Sequence, residues 1–223
     1  MGNTDLLTGI LRFLLIVPAI ILHEVSHGWV ALLLGDPTAK NRGRLTLNPI
    51  PHIDPWGTVV LPGVMLILST LAGGTPIAFG YAKPVPVNPY LMSKTDPRTG
   101  MLLTGLAGPV CNILIAIVTA GVIHLIPVSG VATSPFPNVI VQTLVFFAFI
   151  NLVLAFFNLI PVPPLDGSRV VQWLLRGRAL EFYDSLERYG FIVVIAIVFI
   201  FPGVISAYFD VTVYPILHLL GLG

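Results

Sequence analysis

The stretch His23-Glu24-Val25-Ser26-His27 sits in the middle of an apolar run, residues 11–34, LRFLLIVPAIILHEVSHGWVALLL. The run is long enough for a membrane-spanning helix, which needs about 20 residues. Residues four apart on a helix stand one above the other, so His23 and His27 share a face. Two imidazoles so placed can hold one zinc ion. Glu24, beside them, is placed to take a proton from a water nucleophile. A carboxylate and two imidazoles are costly within a bilayer, and such groups serve function rather than packing. The spacing predicts a metal centre on the first long helix.

Composition agrees with that setting. The 223 residues are 56% hydrophobic and only 9% charged, where a soluble domain carries about 25% charged residues. The chain reads as an all-α polytopic membrane protein. It forms a single integral-membrane domain over 1–223, with a core at about 11–176 and extra C-terminal helices in 189–223. A net charge of +1, with no basic cluster, gives no sign of a nucleic-acid partner. The lone cysteine, Cys111, rules out an intrachain disulfide and reads as a small buried filler. The N-terminus lacks a basic n-region and a cleavage site, so the first apolar segment is expected to stay in the mature protein.

Gly35-Asp36-Pro37 ends the first helix. The turn-rich segment 36–58 follows, with Lys40, Arg42 and Arg44. His52 and Asp54 lie there between prolines; turn chemistry accounts for them, with a pocket-rim role as the alternative. Residues 59–79 are apolar but broken by Pro62-Gly63, Gly73-Gly74 and Pro76. A helix over 59–72 would extend about 21 Å at ~1.5 Å per residue, short of the ~30 Å hydrocarbon core. Residues 77–87, IAFGYAKPVPV, alternate like a strand. Pro84 and Pro86 remove donors from one side only, which an edge strand tolerates.

Apolar helices are expected over 101–126 and 138–158, and a further one over 189–209. The first contains Gly105, Gly108-Pro109 and Asn112; small residues let helices approach closely in lipid. Asn112 has two readings, a bond to a neighbouring helix or a part in the site. His124 reads as interfacial, His218 as surface-exposed or interfacial, and the tail to Gly223 as an apolar segment at the interface. Between the second and third of these helices lies Asn158-Leu-Ile-Pro161-Val-Pro163-Pro164-Leu165-Asp166-Gly167. Its prolines cannot continue a helix, and irregular backbone at membrane depth survives only against protein or a wet cavity. Asp166 is therefore a candidate third ligand; the alternative is a cap on the helix at 168–175.

These pieces together resemble the site-2 protease family of intramembrane zinc metalloproteases. The resemblance rests on HEVSH at 23–27, GPVCN at 108–112 and NLIPVPPLDG at 158–167. RLTLNPIPHIDP at 44–55 and FGYAKPVPVNP at 79–89 are similar to the compact prokaryotic branch, which carries no PDZ or CBS domain. The resemblance implies one Zn2+ per chain on His23, His27 and Asp166, and Glu24 as general base. It implies that Asn158 and Asn112 position the substrate or polarise its carbonyl. The activity implied is peptide hydrolysis within or near transmembrane segments of membrane proteins. The partners are then such a substrate and the lipid bilayer. A competing reading is a metal or proton transporter using the same intramembrane groups; the lack of an internal repeat counts against it.

Charge placement predicts the topology. If 59–79 dips into the membrane and returns, then Lys40, Arg42, Arg44, Lys83, Lys94, Arg98, Arg169, Arg176, Arg178 and Arg188 all share one face. That satisfies the positive-inside rule. The expected fold is thus about four full spans plus a re-entrant segment with a short β element, in a prokaryotic cell membrane. The site opens to the cytosol. An unwound substrate would pair with the strand at Phe79, Gly80, Tyr81 and Lys83.

Overall fold

The computed structural model describes residues 3–60, 64, 67, 82–126 and 135–223. Helix α1 (Asn3–Leu33) runs through Pro18 without ending. It stops in a Schellman turn: Gly35, at φ +108°, donates to the Leu32 carbonyl at 3.0 Å and Asp36 donates to that of Ala31 at 2.9 Å. A short turn of helix, α2 (Thr38–Asn41), follows. Helix α3 (Pro97–Leu125) is capped by Asp96, whose carboxylate accepts the N–H groups of Arg98 and Thr99, with Pro97 at the first helical position. Helix α4 (Pro135–Asn158) is the most apolar of the long helices.

Helices α1, α3 and α4 all pack against one another. Among the described residues, three segments are long and apolar enough to cross a membrane: Leu14–Leu33, Pro97–Leu125 and Val139–Asn158. The chain is an integral membrane protein. Ala116 of α3 and Ala148 and Leu152 of α4 form a buried cluster with Val213 and Leu217. The last two come from α8 (Pro202–Leu219). The C-terminal segment is therefore a helix packed on the bundle, where an interfacial tail was expected.

The helix expected over 189–209 is broken. Helix α7 (Glu187–Ile200) ends and α8 begins at Pro202, the two meeting at 87°. Proline has no N–H to give and disfavours helical geometry in the residue before it; Phe201 sits at φ −121°, ψ 53°. At 14 residues, α7 extends only about 21 Å. The described residues thus hold three candidate spans, or four if the bent pair counts as one.

The strand expected at 77–87 also differs. Its described part, 82–87, is extended but belongs to no sheet. Its donors go elsewhere: Lys83 N–H to the His52 carbonyl at 2.9 Å and Val85 N–H to Glu24 Oε2 at 2.9 Å. Arg44 takes the Lys83 carbonyl and, at 3.1 Å, the Pro84 carbonyl. Pro84 and Pro86 leave one edge without donors, and the donors of the other edge, Lys83 and Val85, are taken by His52 and Glu24. Lys83 is therefore not free to pair with a substrate strand. Phe79, Gly80 and Tyr81, and most of the expected re-entrant segment, lie outside the described residues.

Two short helices complete the charged end, α5 (Gly167–Leu174) and α6 (Arg178–Ser185). Arg98, in the first turn of α3, closes the C-terminus of α5 by donating to the carbonyls of Gln172 and Trp173, each at 2.7 Å, and of Leu175.

Candidate metal centre

His23 and His27 emerge from α1 on the face toward α3, both buried. Gly108 makes room for them: a Cβ there would lie 2.5 Å from His23 Nε2 and 2.6 Å from His27 Nε2. The rings meet edge to face, centroids 4.7 Å apart. Asp166 reaches them from the irregular turn before α5. Its Oδ2 stands 3.0 Å from His23 Nε2 and 3.4 Å from His27 Nε2. It makes no capping bond to α5, so the capping alternative fails.

The second nitrogen of each ring sets the state of the first. His23 Nδ1 lies 2.7 Å from Asn112 Oδ1, and His27 Nδ1 lies 2.6 Å from the Thr104 carbonyl. Both partners only accept, so each Nδ1 carries the proton and donates. Each Nε2 of a neutral ring then presents a lone pair. Two lone pairs and a carboxylate oxygen converge, and only a proton or a metal cation satisfies all three. Among the described residues, His23, His27 and Asp166 are the group that could hold an ion, with ligand atoms within 4.8 Å of one another. Imidazole nitrogen and carboxylate oxygen suit zinc, so the donor set fits.

The centre faces a cavity of about 290 Å³ whose walls include Glu24, Val85, Met101, Asn158 and Arg169. Glu24 gives one carboxylate oxygen to the Val85 N–H. Asn158 lines the cavity and donates back to the Leu154 carbonyl at 2.8 Å, which leaves its Oδ1 for an incoming group. Asn112 differs from its expected place beside the substrate. It is fully buried behind His23, where it donates to Asn151 Oδ1 at 2.8 Å. His52 donates to the Thr46 carbonyl at 3.0 Å, and Asp54 accepts from Trp56 and Gly57 N–H at 3.0 and 2.8 Å. Both are turn chemistry and neither lines this cavity. Sequence reasoning passes over Thr104 and Asn151 and takes Arg44 only as a loop charge. For Asn151 a signal exists, the one polar residue in the apolar run 144–157 of α4.

Comparison with known proteins matches residues 121–201 to the model of peptidase family M50. YwhC of Bacillus subtilis, named as a zinc metalloprotease, is 38% identical over 81% of this chain and 76% of its own length. The chain belongs to peptidase family M50, the site-2 proteases. Two Rip2 proteins, also named as zinc metalloproteases, are further relatives of this M50 chain. The one from Mycolicibacterium smegmatis is 26% identical over 79% of this chain and 61% of its own length. That of Mycobacterium tuberculosis H37Rv is 29% identical over 90% of this chain and 70% of its own length. No solved structure matches. As an M50 member the protein is a zinc metalloprotease, and the transporter reading is set aside. The family match covers Asp166 but not the His23–His27 stretch; the structure brings the two together.

Proposed function

We propose that this protein is an intramembrane zinc endopeptidase that cleaves membrane-protein substrates within or near their transmembrane segments, with its site open to the cytosol of a prokaryotic cell. The observation that carries this is the depth of the centre. His23 lies 10 residues before the end of α1 at Leu33 and Asn112 lies 15 after the start of α3 at Pro97, so they stand about 15 and about 22 Å in from the ends of their helices. Their side chains meet at 2.7 Å.

His23, His27 and Asp166 would hold the zinc, which supplies a Lewis acid for the attacking water and the scissile carbonyl. Glu24 takes the water's proton on the oxygen not held by Val85 and delivers it to the leaving amine. The Val85 N–H fixes the carboxylate's rotamer, so the free oxygen points consistently into the cavity. Asn158 Oδ1 accepts from a substrate N–H and orients the peptide. A helical peptide bond is shielded by its own hydrogen bonds, so the substrate enters unwound. The walls of the cavity separate the reaction from lipid.

The test is co-expression with single-span membrane proteins, with products resolved by mass. Metal-dependent cleavage mapping within or beside the span, absent in Glu24→Gln, is the expected result. Cleavage confined to soluble peptides would overturn the intramembrane assignment.

A further inference from the structure

We infer that Asn151 of α4 is a positioning residue for the metal centre: acting through Asn112, it holds His23 in the tautomer that leaves Nε2 free for zinc. This rests on the reading of His23 as a ligand. Neither Asn151 nor Asn112 exposes any surface, so their bonds to each other and to the backbone are not shared with solvent.

The chain of bonds starts from a group with no choice. The Phe147 carbonyl can only accept, and Asn151 Nδ2 lies 2.8 Å from it. The Asn151 amide must therefore turn its oxygen toward Asn112. Asn112 Nδ2 donates to that oxygen at 2.8 Å, with a second, longer contact of 3.5 Å to the Ala19 carbonyl. Asn112 must in turn present Oδ1 to His23 Nδ1, at 2.7 Å. The proton on His23 is thus assigned by a backbone carbonyl of another helix, through two buried amides.

Remove Asn151, and the Asn112 amide keeps only the longer contact to the Ala19 carbonyl against rotating by half a turn. Its NH2 would then face His23 Nδ1, favouring the tautomer with the proton on Nε2, where zinc must bind. His27 supplies an internal control. Its Nδ1 bonds the backbone carbonyl of Thr104 at 2.6 Å, which cannot flip, so His27 does not depend on Asn151.

The experiment uses full-length protein with 15N-histidine in lipid. Ring nitrogen shifts are read without metal under conditions where the rings are neutral, and zinc affinity is measured by competition with a chelator. Asn151→Leu, close to isosteric, should move His23 toward the Nε2-protonated form and leave His27 unchanged. Zinc affinity should fall about 10- to 100-fold, the usual loss for an outer partner of a ligand. In an Asn112→Ala background the same substitution should cost nothing further. Where Asn151→Leu fails to accumulate, Asn151→Ala, which adds no bulk, carries the same readouts. A His23 signal that stays Nδ1-protonated, or an equal affinity loss in both backgrounds, overturns the proposal. A shifted tautomer with unchanged zinc affinity would instead remove His23 from the ligand set.

Discussion

Glu24 keeps one oxygen on the Val85 N–H and lines the cavity beside the histidine pair. Glu24→Gln should retain zinc and lose cleavage by about 10²–10⁴-fold, since an amide cannot take the proton; metal content and product mass measured on one preparation decide it. Zinc loss in that variant would make Glu24 structural. Gly108 yields a second expectation. A Cβ at 2.5–2.6 Å from the ring atoms of both histidines cannot be absorbed by turning the rings, because Asn112 and Thr104 pin them. Gly108→Ala should weaken zinc binding by at least about tenfold, checked by chelator competition; unchanged affinity would show that α1 and α3 can part. The histidine pair is legible in the sequence because helical spacing is local: His23 and His27 must share a face. The reasons those rings face as they do are not. Thr104 acts through a backbone oxygen, which any residue type has, and Asn151 acts from another helix.

The segment 82–88 behaves as a strap. Arg44, 6% exposed, ties it to the preceding loop through the Pro51, Lys83 and Pro84 carbonyls. Asp36 holds its far end through the Asn88 N–H at 2.6 Å. Alternation in the sequence reads as a strand, but alternation reports only extended backbone. What pairs with that backbone is set by Arg44, Glu24 and Asp36, far away in sequence. Val85→Pro would keep the extended path and delete the one N–H that Glu24 uses. A bond from a charged acceptor contributes about 1.5–3 kcal/mol, so cleavage should fall about 10- to 100-fold with zinc retained. Val87→Pro, which removes no bond to Glu24, should cost less. Equal losses in the two variants would mean that proline, not the lost bond, is responsible. The break at Pro202 teaches the complementary lesson. The apolar run around it has spanning length, and a single residue without an N–H divides it.

At the scale of the whole molecule, the charged stretches gather at one end. Lys94 N–H bonds the Leu34 carbonyl at 3.1 Å and Lys83 N–H that of His52 at 2.9 Å, so the loop after α1 and the segment before α3 lie together. Arg98 joins α5 to the same end. At the other end, His124 meets the Leu220 carbonyl at 2.8 Å, which puts the close of α3 beside the close of α8. A chain that leaves and returns at one end, with most of its basic residues there, satisfies the positive-inside rule only if that end faces the cytosol. Residue pairing could suggest this from sequence only through charge counting; the hydrogen bonds between the loops supply the geometry. Single cysteines at the exposed positions Lys40, Ser93 and Leu125, in a Cys111→Ala background, test it in intact cells. Lys40→Cys and Ser93→Cys should react only with a reagent that crosses the membrane, and Leu125→Cys with an impermeant one. The reverse pattern would put the metal centre's opening on the outer face and move the substrate's cleaved bond to that side. Labelling of Lys40→Cys and Ser93→Cys from opposite faces would contradict the contact between their loops, and with it the fold that brings Val85 to Glu24.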